Sequence, residues 1–114
     1  MGRTLGLPLT PAVFFTLFAL AGGDKHGYAI MKETRKLSDD SFEMGPATLY
    51  TTLQRLLELE LVEEAAGAKG VDSRRRNYRL TKSGRSLLDL ELARVEALIR
   101  KAGTLRLRPA GVKP

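Results

Sequence analysis

The side chains with the clearest chemical potential are arginines in the second half of the chain. Arg74, Arg75 and Arg76 form an unbroken run, and Arg79 follows closely. A guanidinium group pairs with phosphate oxygens in bidentate fashion and keeps its charge at physiological pH. The run therefore indicates contact with a polyanion, although most charge runs of this kind are solvated surface features.

A second set of side chains suits contact with the edges of bases. Thr48, Thr51 and Arg55 recur at helical spacing, and Tyr50 lies among them. Small hydroxyl side chains allow a helix to approach base edges closely, and an arginine adds a strong donor. Tyr50 has two interpretations, which are contact with a base or phosphate and packing at the edge of the helix.

The composition excludes most catalytic and metal-binding chemistry. The chain has no cysteine, so it has no disulfides, thiolate zinc sites or cysteine nucleophiles. His26 is its single histidine, which leaves little acid–base capacity near neutral pH, and no phosphate-binding loop is present. We expect no enzyme activity, no metal and no cofactor, and we interpret His26 as a structural residue at the start of a helix.

The net charge of +6 lies entirely in the second half of the chain. Residues 1–60 carry six basic and seven acidic side chains, so they contribute none of the excess. Such a charge favours a nucleic acid as the partner. Phosphate binding would come from the second half, and sequence selection from uncharged side chains together with Arg55.

One strongly apolar run covers residues 11–21. It has about half of the roughly 18 residues that a membrane-spanning helix needs, so it predicts a buried core helix and no membrane contact. Thr10 and Pro11 favour the start of that helix. With no cysteine and no anchor, we expect a cytoplasmic protein.

Two further helices are expected in the first half. Asp24 is a candidate cap for a helix over residues 25–37 whose apolar side includes Tyr28, and residues 42–44 could form a one-bridge strand at most. A third helix begins at Gly45 and Pro46. Its buried face consists of leucines spaced by four, three and one residues, and its opposite face consists of Thr48, Thr51, Thr52, Arg55 and Glu58.

The second half predicts a hairpin followed by a long helix. Residues 61–65 and 75–80 have the character of strands joined by a glycine-containing basic loop, and Thr81 can cap a helix over residues 82–102. That helix carries a seam of coiled-coil spacing that is wider than a small core needs. We therefore predict a dimer interface formed by Leu88, Leu92, Val95 and Ile99.

The predicted fold is mainly α with a small β hairpin, in the layout of a winged helix-turn-helix with a long C-terminal dimerisation helix. Residues 9–80 form the expected DNA-binding domain and residues 81–102 the dimerisation helix. Residues 1–8 and 103–114 are expected to be flexible termini.

Four motifs in order resemble the PadR family of bacterial transcriptional regulators over roughly residues 9–102. They are His26-Gly-Tyr-Ala-Ile30, Pro46-Ala-Thr-Leu-Tyr50, Leu53-Gln-Arg-Leu56 and Arg76-Asn-Tyr-Arg-Leu-Thr-Lys-Ser-Gly-Arg85. The single C-terminal helix resembles the smaller PadR subfamily. The resemblance implies a homodimeric repressor whose third helix reads a palindromic operator on double-stranded DNA. It also implies DNA contact by Thr48, Tyr50 and Arg55 of the third helix and by Arg76 and Arg79 beside the wing strand. Thr51, Arg74 and Arg75, which the residue pattern indicates, complete the expected DNA-binding set.

The sequence departs from the family pattern at two positions. Thr51 stands where proline is frequent, and Glu60 stands where glycine usually permits a left-handed turn after the third helix. The chain also has no tryptophan, so ligand binding between tryptophans of the last helix does not carry over.

Some PadR relatives bind planar aromatic effectors between the first and last helices. A corresponding pocket here would be lined by Phe14, Phe15, Phe18, Leu92 and Val95, and it would take a small hydrophobic or aromatic effector. Ordinary core and dimer packing is the alternative role of these side chains.

These observations favour a dimeric, sequence-specific transcriptional repressor. One alternative is a winged-helix protein-interaction adaptor that does not read DNA. Another is an RNA-binding protein, but the sequence offers no aromatic stacking platform for it.

Overall fold

The computed structural model describes residues 5–65 and 76–105 of the 114-residue chain. Four helices and a three-stranded antiparallel sheet form this part of the protein, which confirms the predicted fold class. In chain order the elements are α1 (Pro11–Ala21), β1 (Lys25–His26), α2 (Gly27–Leu37), α3 (Pro46–Glu58), β2 (Val62–Ala65), β3 (Asn77–Leu80) and α4 (Lys82–Thr104).

The first helix, α1, lies at the centre of the core. Thr10 caps it by accepting a hydrogen bond from the backbone N–H of Val13, and Pro11 occupies the first turn, as predicted. Leu17 is fully buried against residues of α2 and α3 such as Ile30 and Leu53. No helix in the described part of the chain is long and apolar enough to cross a membrane.

The third strand of the sheet lies before α2 rather than after it. Lys25 and His26 form β1, whereas the predicted strand over residues 42–44 is wrong because that segment has irregular backbone. The predicted Asp24 cap is also wrong. His26 caps α2, because its Nδ1 accepts a hydrogen bond from the Ala29 N–H at 3.3 Å. The carboxylate of Asp24 instead pairs with Arg79 at 3.2 Å.

The sheet has the strand order β1-β3-β2, with β3 in the middle. Lys25 pairs with Tyr78 on one side of β3, and Glu64 pairs with the same residue on the other side. Tyr78 is buried and Arg79 is exposed, so neighbouring side chains of this strand lie on opposite faces of the sheet. The hairpin of β2 and β3 is the wing.

The turn from α3 into the wing contains Glu60 in a left-handed conformation, with φ of 59°. The Glu60 N–H donates to the Leu57 carbonyl, and the Leu61 N–H donates to the Leu56 carbonyl. These two bonds form a Schellman motif, which normally has glycine at this position. The departure from the family pattern at Glu60 therefore leaves the turn geometry intact at a cost in backbone strain.

The last helix, α4, meets the wing at a close crossing. Thr81 caps it through the Gly84 N–H, and its hydroxyl donates to the Glu60 carbonyl at 2.7 Å. A Cβ at Gly84 would lie 2.0 Å from the carbonyl oxygen of Leu61, so only glycine fits there. The helix continues through Gly103 to Thr104, slightly beyond the predicted end.

Residues 5–9, which we call the N-terminal arm, pack against the core instead of forming the start of a flexible terminus. The side chains of Leu5 and Leu9 are partly buried against the core cluster. The Leu9 N–H also donates a hydrogen bond to the Glu91 carboxylate at 2.8 Å. The helical and strand periodicities could not reveal this packing, because its partner lies 82 residues away in sequence.

The strain at Glu60 gives the first prediction. Replacing Glu60 with glycine should raise the free energy of unfolding by about 1 kcal/mol, because glycine adopts the left-handed conformation without the Cβ penalty. Urea unfolding followed by circular dichroism measures this change. The matched control is Glu58→Gly in the last turn of α3, which should lower the free energy by about 1 kcal/mol. A loss of stability in Glu60→Gly would contradict the strain that we assign.

Candidate nucleic-acid interface

The helix α3 has one buried and one exposed face. Leu49, Leu53 and Leu56 are at most 1% exposed, and they anchor the helix in the core. Thr52 was predicted on the outer face, but it is 8% exposed and belongs to the buried side. The outer face consists of Thr48, Tyr50, Thr51, Gln54, Arg55 and Glu58.

Tyr50 packs at the edge of the helix and is also exposed on its outer face. Its hydroxyl lies against Gly27 at the start of α2, where a Cβ would be 2.4 Å from the oxygen. Tyr50 as a whole is 47% exposed on the outer face of α3. Gly27 therefore permits the close approach of α2 and α3, and that contact sets the direction of the tyrosine.

Gln54 is a candidate contact that the sequence analysis missed. It lies one turn after Tyr50 and Thr51 on the exposed face, and its amide donates to Glu58 at 3.4 Å. Glutamine can pair with adenine in bidentate fashion, so this position is chemically suited to base recognition. Gln54 follows Thr51 by three residues, which places both on the same helical face, and this spacing could have identified Gln54 from the sequence.

The wing arginines that the structure describes form ion pairs within the chain. Arg76 pairs with Glu64 of β2 at 3.5 Å, and Arg79 pairs with Asp24 at 3.2 Å. All four side chains are about half exposed, so these pairs contribute little stability and can exchange partners. Arg74 and Arg75 lie outside the described residues.

A further exposed tyrosine lies on α2. Tyr28 was predicted on the apolar side of that helix, but it is 64% exposed. Its ring stacks on His26 with a centroid distance of 6.5 Å, and the ammonium group of Lys32 lies 5.7 Å from the ring centroid. This polar and aromatic surface adjoins the contact between Gly27 and Tyr50.

The apolar seam of α4 passes from the core to the surface. Leu88 is 1% exposed and packs in the chain's own core. Its side chain is therefore buried without contact from a second chain. Leu92 and Val95 are partly buried, whereas Ile99 is 57% exposed and the neighbouring Leu98 is 50% exposed. The C-terminal half of α4 thus presents an apolar face that the described chain does not cover.

The phenylalanines of α1 form an aromatic cluster. The ring of Phe14 lies 5.1 Å from that of Phe15 and 5.4 Å from that of Phe18, and Phe15 stacks on Phe42 at 5.5 Å. Phe14, Phe18 and Leu92 are only partly buried against the core. Within residues 5–65 and 76–105, no cluster of histidine and acidic side chains is arranged to hold a metal ion.

Comparison with known proteins identifies the family. The model of the transcriptional regulator PadR-like family matches residues 17–90, which include α2, α3 and the wing strands. The chain belongs to the PadR family. The family comprises transcriptional regulators and not enzymes, so the expectation that the chain is not an enzyme is confirmed.

Two relatives share substantial sequence with this PadR-family chain. Uncharacterized protein X from Lysinibacillus sphaericus is 35% identical over 65 residues, which cover 57% of this chain and 60% of the relative. A 37.1 kDa protein of a Streptomyces fradiae transposon is 40% identical over 80 residues, which cover 70% of this chain and 21% of the relative. Each match thus covers less than two thirds of the relative's own length.

Solved structures share the fold of this PadR-family chain. A transcriptional regulator from Clostridium thermocellum is 25% identical with a TM-score of 0.66, covering 82% of this chain and 87% of that chain. A PadR-family regulator from Clostridium difficile is 20% identical with a TM-score of 0.68, covering 84% and 98%. Bacillus subtilis PadR, solved with operator DNA, is 21% identical with a TM-score of 0.61, covering 70% and 46%.

The contact between Gly27 and Tyr50 gives the second prediction. Gly27→Ala should move the Tyr50 ring, because the new methyl group would occupy the position of its hydroxyl. Aromatic NMR resonances of Tyr50 report the movement, and we expect a loss of about 1–3 kcal/mol in unfolding free energy. Gly103→Ala is the control, since a Cβ there meets nothing within 4 Å. Unchanged Tyr50 resonances in Gly27→Ala would contradict the contact.

Proposed function

We propose that this PadR-family regulator is a homodimeric repressor that binds a palindromic operator through α3. One observation carries the proposal: α3 buries its leucines and presents a face of small polar groups, one tyrosine and one arginine. A face of this composition can enter the major groove and form hydrogen bonds with base edges. The two α3 helices of a dimer would then read half-sites about one helical turn apart.

Phosphate binding is the proposed role of the wing. Arg79 lies in the wing strand β3 and Arg76 directly precedes that strand. Arg74 and Arg75 come before them in sequence. Because the ion pairs of Arg76 and Arg79 are exposed, phosphate oxygens can replace Glu64 and Asp24 as their partners. Bacillus subtilis PadR, which shares the fold, was solved with operator DNA, and this supports a DNA-binding role here.

Dimerisation is proposed to occur through the C-terminal half of α4. Leu92, Val95 and Ile99 continue the stripe that begins with Leu88 in the core, and Leu98 widens it. An apolar stripe that runs beyond its own core is typical of a surface that a second copy covers. Repression would follow from steric exclusion of the transcription machinery at the operator.

A small hydrophobic or aromatic effector is proposed to bind between the phenylalanines of α1 and the facing part of α4. Phe14, Phe15 and Phe18 form the aromatic side, and Leu92 and Val95 form the aliphatic side. Such a ligand would change the spacing of the two α3 helices and release the operator.

The alternative function is a winged-helix adaptor for another protein. That role would not require an outer face of α3 with Thr51, Gln54 and Arg55 beside a basic wing. The two functions differ in their response to DNA sequence and salt, so one set of binding measurements separates them.

The third prediction concerns DNA binding by the full-length protein. Mobility shifts with the DNA upstream of its own coding region should show tighter binding than to scrambled DNA at two salt concentrations. Tyr50→Ala/Arg55→Ala should reduce this discrimination by about 1–3 kcal/mol for each lost base contact. Arg76→Ala should weaken binding to all sequences and lower the salt slope by about 1.

The control for these variants is Arg100→Ala, which removes an exposed arginine that pairs with Glu96 at the far end of α4. It should leave discrimination and salt slope unchanged. Equal affinity of the unmutated protein for upstream and scrambled DNA at both salt concentrations would favour the adaptor function instead.

The fourth prediction concerns the dimer. Ile99→Lys should shift the mass in sedimentation equilibrium toward the monomer value of 12.5 kDa, because a buried lysine at the interface would lack a counter-charge. Leu90→Lys is the matched control, since Leu90 is 61% exposed and lies on the opposite side of α4 from the stripe. The proposed interface is wrong if both variants remain dimeric or both dissociate.

A further inference from the structure

The carboxylate of Glu91 is buried in the middle of α4. Its side chain is 4% exposed. Among the described residues, no other charged residue is buried. Burial of a carboxylate is unfavourable unless partners replace water, and Glu91 has two of them. Its Oε2 accepts the Leu9 N–H at 2.8 Å, and Arg94 donates from both Nε and Nη2. The bond from Arg94, together with the Leu9 N–H, holds the pKa of Glu91 below its usual range.

The hydrogen bond to Leu9 fixes an arm that touches both α3 and α4. Residues of the arm line a cavity of about 290 Å³ together with Thr51 and Arg55 of α3. Leu5 of the same arm lines a second cavity of about 330 Å³ with Leu87 and Leu90 of α4. Helix α1 packs on both α3 and α4, and the arm adds a second connection between these two helices through the two cavities.

This arrangement lies largely outside the part of the chain that matches the PadR family. The match ends at residue 90 and begins at residue 17, so it contains neither the arm nor Glu91 and Arg94. The family model therefore does not include this set of contacts.

We propose that Glu91 is a positioning residue for operator recognition. Through Leu9 it holds the arm against α3 and α4, and so, together with α1, it fixes how far each reading helix lies from the helix that forms the dimer. The proposal rests on the proposed function, in which α3 reads DNA and α4 dimerises. Arg94 supports Glu91 by holding its carboxylate in place.

The physical argument comes from the symmetry of a dimer. In a two-fold dimer, the distance between the two reading helices determines which half-site spacing binds best. A contact that fixes α3 relative to α4 therefore sets that spacing preference. Loss of the contact should reduce the preference for one spacing, whereas a simple loss of folded protein would weaken binding to every spacing equally.

The first test uses the full-length protein without DNA. The chain has no cysteine, so spin labels can be placed at Gln54→Cys on α3 and Lys101→Cys on α4. Labelled chain is diluted with unlabelled chain, so that the measured distance lies within one protomer. Glu91→Gln keeps an acceptor for the Leu9 N–H but removes the charge, and it should broaden or shift the distance distribution.

The matched control is Glu96→Gln, which makes the same change at an exposed residue of α4 that pairs with Arg100 at 3.4 Å. It should leave the distance distribution unchanged. Arg94→Gln is a milder second variant in case Glu91→Gln unfolds, and we expect a smaller change in the same direction. Distributions that match the unmutated protein in both variants, at temperatures where they are folded, would overturn the proposal.

The second test measures affinity for palindromes whose half-sites are moved apart or together by one or two base pairs. Glu91→Gln should reduce the preference for the best spacing by at least about fivefold, whereas Glu96→Gln should retain it. A uniform loss of affinity at all spacings would show a merely structural role and overturn the proposal. Absence of specific binding by the unmutated protein would overturn the proposed function instead, and the label distances would still report whether Glu91 fixes α3 relative to α4.

Discussion

Burial of the leucine row of α3 is the interaction on which the rest of the structure depends. Leu49, Leu53 and Leu56 are almost fully removed from water, and each contributes about 1.5–3 kcal/mol through burial. Because side chains repeat every 3.6 residues, the position of these leucines determines that Thr51 and Arg55 face outward. The surface that we propose to read DNA is therefore a consequence of core packing.

Two close approaches involving glycine then orient this surface. Gly27 leaves room for the hydroxyl of Tyr50, and Gly84 allows α4 to lie against the carbonyl of Leu61 at the base of the wing. A side chain at Gly27 would displace the Tyr50 ring, and one at Gly84 would require a shift of α4 from the wing. The relative positions of α3, the wing and α4 thus depend on the absence of two Cβ atoms and on the turn at Glu60.

The helices could be predicted from the sequence because their signals are local and periodic. The Thr10 and Pro11 start, the leucine spacing of α3 and the Thr81 cap are all found in the structure. The two-residue strand β1 could not be predicted, since so short a segment has no periodicity and forms only by pairing with β3. In sequence, β1 is well separated from residues 42–44, where the short strand was predicted.

The candidate site was predictable in type but not in detail. Thr51 and Arg55 followed from the helical phase, whereas Thr52 was assigned to the wrong face and Gln54 was missed. The role of Glu91 could not be predicted, because its partner is a backbone N–H that the tertiary fold brings to it. Leu88 illustrates the same limit, since coiled-coil spacing does not distinguish a side chain buried in its own core from one buried by a partner.

The central claim is that α3 reads base edges in the major groove, and methylation interference tests it most directly. Methylation of guanine N7 blocks the major groove, whereas methylation of adenine N3 blocks the minor groove. On DNA that the protein selects, we predict interference by N7 methylation in two clusters about one helical turn apart, related by two-fold symmetry. Binding that tolerates N7 methylation throughout the protected region would contradict the account.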